Sequence, residues 1–134
     1  MKQIIYTSVR NELFSVHEII EMLKMAQEDN KSNGISGILI YSNNQFLQVF
    51  EGMNSTVDHL KRKILSDKRH KNIIIISENK INELEYTYWD MAFCDEKSIH
   101  KFMGEEVFNP CKMSFNQADT LLKKFKTHTL NSET

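Results

Sequence analysis

The sequence predicts an α+β fold: a mixed sheet with two helices on one face and a C-terminal two-helix extension on the other. Three observations carry this. Apolar runs of period two alternate with stripes of helical period, an Asn-Asn turn joins two strand-like runs, and residues 95–134 are amphipathic and helical in pattern.

Taken in order, Lys2 to Ser8 alternates, with Ile4, Tyr6 and Ser8 on one face and Ile5 and Thr7 on the other, as in a strand near a sheet centre. Ser15 followed by Glu18 is a capping box, and Ile19, Ile20, Leu23 and Ala26 recur at helical spacing, so a helix is expected from Val16 to Asn30. Asn33-Gly34 stops it. Ile35 to Tyr41 is rich in β-formers, and Asn43-Asn44 turns the chain into a second strand from Gln45 to Glu51. Asn54 or Ser55 is expected to cap a second helix, striped by Val57, Leu60, Ile64 and Leu65. Asn72 to Ser77 and Tyr86 to Phe93 then read as strands, giving the order βαββαββ and a ferredoxin-like plan. Ile99, Phe102 and Met103 mark a short helix that Pro110 breaks. Ser114 starts another, with Ala118, Leu121, Leu122 and Phe125 along it, and fraying is expected from Thr127.

The chain divides into residues 1–94, which carry the strands and candidate site, and a helical extension over 95–134 that packs on the sheet. With 17 basic and 18 acidic residues it offers no large positive field, which argues against a nucleic-acid partner. The longest apolar run, Ile73 to Ile76, is too short to span a membrane, and the N-terminus leads into strand-like sequence. A cytoplasmic location is expected. Cys94 and Cys111 lack metal-ligand or redox-pair spacing and read as free thiols, so no metal is implied.

Several residues invite chemistry. Gln48 lies within the apolar run Phe46-Leu47-Gln48-Val49-Phe50, and a buried amide requires a polar partner, either structural or a ligand. Tyr6 poses the same question from the first strand. Asn30 is open to two readings, a helix C-cap or a ligand contact. Arg69, in Asp67-Lys68-Arg69-His70, offers a rigid donor fork suited to planar or anionic groups, although such a run can equally be a solvated turn. Trp89, Met91 and Phe93 share a strand face, a pattern that also fits plain core packing. A Gly-rich phosphate loop, HExxH and GxSxG are all missing.

In sequence order these segments resemble the BLUF family of flavin-based blue-light receptors over Lys2 to Phe93, in the short single-domain form. The resemblance rests on Ile5-Tyr6-Thr7-Ser8, Ala26 with Asn30, Gly34-Ile35-Ser36-Gly37, Phe46 to Gly52, Asp67 to His70, and Trp89-Asp90-Met91. It implies an FAD between the two helices, contacted by Tyr6, Ser8, Asp29, Asn30, Ile35, Gln48, Arg69 and His70. Tyr6 and Gln48 would be the photoactive pair, while Trp89 and Met91 would transmit the signal. Ser36 replaces the more usual Thr, and Glu83 and Glu85 precede Trp89 where many members carry Arg and Phe. The implied output is contact with a downstream regulatory protein, compatible with self-association and without catalysis by this chain. A flavin-dependent enzyme and a cofactor-free interaction module of the same fold are the alternatives.

Overall fold

The computed structural model describes the backbone of residues 1–87, 89–93, 96–104 and 107–132; the side chains of 89–93, 96–98, 102 and 128–132 lie outside that description. The element order is β1 (Lys2–Arg10), α1 (Val16–Ser32), β2 (Ser36–Ser42), β3 (Gln45–Gly52), α2 (Asn54–Ser66), β4 (His70–Lys80), β5 (Trp89–Phe93), α3 (Glu96–Met103) and α4 (Phe115–Ser132), with a single 3-10 turn at Pro110–Lys112 before α4. The strands form one five-stranded sheet in the order β4-β1-β3-β2-β5. Pairs β1–β3, β1–β4 and β2–β3 are antiparallel, and β5 joins β2 in parallel. Four strands thus reproduce the ferredoxin-like order, and β5 extends it at one edge.

Alternation along the strands builds two cores. Ile4, Tyr6, Leu39, Phe46 and Phe50 face Ile19, Leu23 and Val57 of α1 and α2. On the opposite face Ile5, Ile38, Ile40, Leu47 and Val49 meet Ala118, Leu121, Leu122 and Phe125 of α4. The C-terminal helices therefore cover the face that the first two helices leave bare.

Local chemistry explains most boundaries. The Ser15–Glu18 capping box forms in both directions, at 3.1 Å each way. Asn43 and Asn44 both adopt positive φ, as a tight two-residue hairpin turn requires. Ser114 and Gln117 make a second reciprocal capping pair at the start of α4.

Five expectations need correction. Neither Asn54 nor Ser55 caps α2: Met53 is the N-cap, no side chain bonds there, and Asn54 already lies in the first turn. Asn30 does not cap α1, which runs two residues further than expected, to Asn33 as its C-cap; the Asn33 Nδ2 donates to the Asp29 carbonyl at 2.9 Å. Tyr86 precedes β5, because its N–H is taken by a side chain and not by a strand neighbour. Strand β4 runs beyond Asn72–Ser77 at both ends, paired along β1. Finally, α4 continues through Thr127 to Ser132. Cys94 lies outside the described residues, and Cys111 is free and exposed.

Candidate functional site

Sheet register sets one lateral row. Tyr6 of β1 pairs with Gln48 of β3, Gln48 with Leu39 of β2, and Leu39 with Met91 of β5. Both polar members of the row are buried, Tyr6 at 5% and Gln48 at 4% exposure. The Tyr6 hydroxyl donates to Gln48 Oε1 at 2.5 Å. Burial raises the Tyr6 phenol well above its ordinary range, with the nearby Asp67 charge adding to the effect, so the hydroxyl keeps its proton at neutral pH. The bond engages the Gln48 carbonyl oxygen, and its amide nitrogen is a second, separate donor.

At the β1–β4 side of the same face, Ser8 and His70 pair at 2.8 Å through Nδ1, and His70 Nε2 lies 2.7 Å from the Ile64 carbonyl. A carbonyl can only accept, so Nε2 carries a proton there. The His70 ring stands edge-on to Tyr6 and Phe46, with centroids 6.2 and 6.0 Å away. Arg69 forms a two-point pair with Asp67, Nε to Oδ1 at 2.9 Å and Nη2 to Oδ2 at 2.7 Å. Burial alone would raise the Asp67 carboxyl, but these bonds outweigh it and hold the group below its ordinary range.

Between α1 and α2 lies a cavity of about 280 Å³, lined by Asp29, Asn30, Asn33, Ile35, Ser55, Thr56, His59, Leu60 and Lys63. That volume sits near the lower bound of about 300 Å³ for small-molecule pockets, enough for a ring system whose polar tail extends outward. Asn30 is buried and lines the cavity. Its side-chain amide, with no hydrogen bond seen among the described residues, offers a donor and an acceptor at the cavity wall.

The structure thus brings the predicted residues into three groups on one face of the sheet: Tyr6 with Gln48, Ser8 with His70, and Asp29 and Asn30 with Ile35. Arg69 is engaged by Asp67 and does not line the cavity, nor do Tyr6, Gln48 or His70. The backbones of Trp89 and Met91 lie in β5, opposite Gly37 and Leu39; their side chains lie outside the described residues. Ser55, Thr56, His59 and Lys63 were not anticipated. Their signal was available in outline, since His59 and Lys63 are four residues apart and share a helix face. Among the described residues no cluster of His, Cys, Asp and Glu could hold a metal, and no helix is long and apolar enough to cross a membrane.

Residues 1–92 match the family described as BLUF, sensors of blue-light using FAD. A photoactivated adenylate cyclase subunit beta of Euglena gracilis is 36% identical over 81 residues, covering 60% of this chain and 9% of the relative. The blue light- and temperature-regulated antirepressor of Escherichia coli (strain K12) is 34% identical over 71 residues, covering 53% of this chain and 18% of that protein. This chain therefore spans under a fifth of the length of either curated relative. The solved structure titled "BlsA photo-activated state" superposes with a TM-score of 0.80 at 31% identity, covering 93% of this chain and 94% of that one. The match over 1–92 means that this chain belongs to the BLUF family of blue-light sensors that use FAD.

Proposed function

We propose that this chain signals blue light through Tyr6 and Gln48, and the observation that carries the reading is the buried 2.5 Å hydrogen bond between them. The residues fit a flavin: an amide at Asn30 without a protein partner, an aliphatic wall at Ile35, and a cavity sized for a ring. Asn30 and Asp29 would hold its polar edge, Gln48 would face it from the sheet, and Arg69, Ser8 and His70 would flank it. Arg69 would reach it only by exchanging part of its bond to Asp67. The flavin, when bound, supplies the blue-absorbing ring and an excited state that accepts an electron.

Tyr6 would supply that electron, and Gln48 would carry its Oη proton, because an amide both donates and accepts. Both would then return to Tyr6. Gln48 would be left rotated or tautomerised, with its hydrogen-bond directions exchanged. No bond is made or broken overall, so light shifts a conformational equilibrium instead of turning over a substrate. We read the chain as a sensor without catalytic activity of its own, acting on a downstream regulatory protein in the cytoplasm. Relatives named for a cyclase and for an antirepressor support output through such an effector. Residues 1–94 would be the sensing unit and 95–134 the output surface, reached through Trp89 and Met91 because β5 shares the Gln48 row.

Tyr6→Phe and Gln48→Leu test the assignment. Each is expected to retain bound flavin and to lose the light-induced spectral shift. A normal photocycle in Gln48→Leu would contradict the mechanism.

A further inference from the structure

The face of the sheet turned away from the cavity holds a second polar row. Gln3 of β1 pairs with Glu51 of β3, and Glu51 with Ser36 of β2, three positions along from the Tyr6–Gln48–Leu39 row on β1, β3 and β2. Glu51 is at 0% exposure, beside the buried polar residues Gln3 and Ser36. Its Oε2 accepts from Gln3 Nε2 at 2.9 Å, and its Oε1 accepts from the backbone N–H of Tyr86 at 2.5 Å. A carboxyl without exposure would not persist there as a surface accident; both oxygens are committed, one to the sheet and one to the segment entering β5.

That segment is also held from the other side. Lys126 of α4 donates its Nζ to the Glu85 carbonyl and sits 5.2 Å over the Tyr86 ring. Lys123, one turn earlier on α4, lies 3.9 Å from the Glu85 carboxylate. The Tyr86 ring is buried in the α4-side core and its hydroxyl has no partner among the described residues, so the ring is positioned by these grips and by packing. The short stretch Glu85–Tyr86 is thus fastened to the sheet by Glu51 and to α4 by Lys126, just before the chain becomes β5.

We propose that Glu51 is a positioning residue for signalling: from the opposite face of β3, three residues beyond Gln48, it fastens the segment entering β5 to the sheet, so that a change in the Gln48 row moves Glu85–Tyr86 as a unit and is read by Lys126 on α4. This rests on the light-sensing reading above but assigns the coupling to residues that take no part in the photochemistry. A cation at position 126 serves both grips, whereas an apolar residue there keeps the packing and loses them.

The test uses the full flavin-bound chain and four proteins: wild type, Glu51→Gln, Lys126→Met and Lys126→Arg. Two readings are taken in darkness and under blue light, the flavin difference spectrum and hydrogen exchange across residues 115–127. Wild type and Lys126→Arg are expected to show both the spectral shift and a light-dependent change in exchange. Glu51→Gln and Lys126→Met are expected to keep the shift while the exchange difference falls about fivefold or more. A purely structural role would lower stability and leave that difference in place. Lys126→Met lies at a half-buried position, where the Met side chain keeps the packing, and keeps the test open if Glu51→Gln misfolds. An undiminished exchange difference in Lys126→Met overturns the proposal, as does a wild type that shifts spectrally without any change in 115–127. Absence of the spectral shift in wild type overturns the light-sensing reading itself, and this coupling with it.

Discussion

The chemistry of this protein is concentrated in a few polar side chains set into apolar strands. Gln48 was legible from sequence because an amide between Leu47 and Val49 has to be explained, and its buried bond to Tyr6 supplies one partner. Asn30 was legible only as an ambiguity; the structure removes the capping alternative, since Asn33 takes that place. Glu51 was missed as a functional candidate, because a carboxylate at a strand end normally reads as solvated, and nothing local reveals that Tyr86 returns from far along the chain to cover it. Removing the unpartnered amide with Asn30→Ala should weaken flavin retention by about 1.5 kcal/mol, roughly tenfold in affinity, while any flavin that remains bound keeps its light response. Titration of the apoprotein with FAD measures the first effect and illumination of the saturated complex the second. Unchanged affinity would remove Asn30 from the site.

At the scale of elements, period-two strands, the capping boxes and the Asn43-Asn44 turn specified the order and most boundaries, because each depends on neighbours within a few residues. What sequence could not supply was long-range. Strand β5 is joined to β2 by parallel pairing across a wide separation, and Tyr86, shortly before it, is held by Glu51 of β3. One position ties strand geometry to the site. Gly37 of β2 lies opposite Phe50 and beside Trp89, and a Cβ there would come within 2.0 Å of the Val49 carbonyl oxygen. Its φ of +157° is also one that side-chain-bearing residues rarely adopt. Gly37→Ala should therefore destabilise the protein by about 3 kcal/mol, because the clash is with backbone and cannot be relieved by a rotamer change. Denaturant unfolding of the two proteins decides this; a loss below about 1 kcal/mol would mean that β2 and β3 can separate locally at no great cost.

The whole molecule is a sheet with two different cores, one built around the cavity and one around α4. The two are chemically separate but share strands β1 to β4, which would allow an event on one face to be felt on the other. Leu122, with no exposure on the α4 side, tests that separation. Leu122→Ala should cost about 3 kcal/mol through the void it leaves, seen in denaturant unfolding, and should leave the flavin spectrum and its light response unchanged. Loss of the light response would mean that the far core shapes the site directly. The central claim, that this chain senses blue light through a buried Tyr–Gln pair beside a flavin, is tested most directly by the absorption difference spectrum of the flavin-bound protein before and after blue illumination. The account predicts a small, reversible red shift of the flavin band with no bleaching. Stable bleaching, or an unchanged spectrum with flavin demonstrably bound, would contradict it.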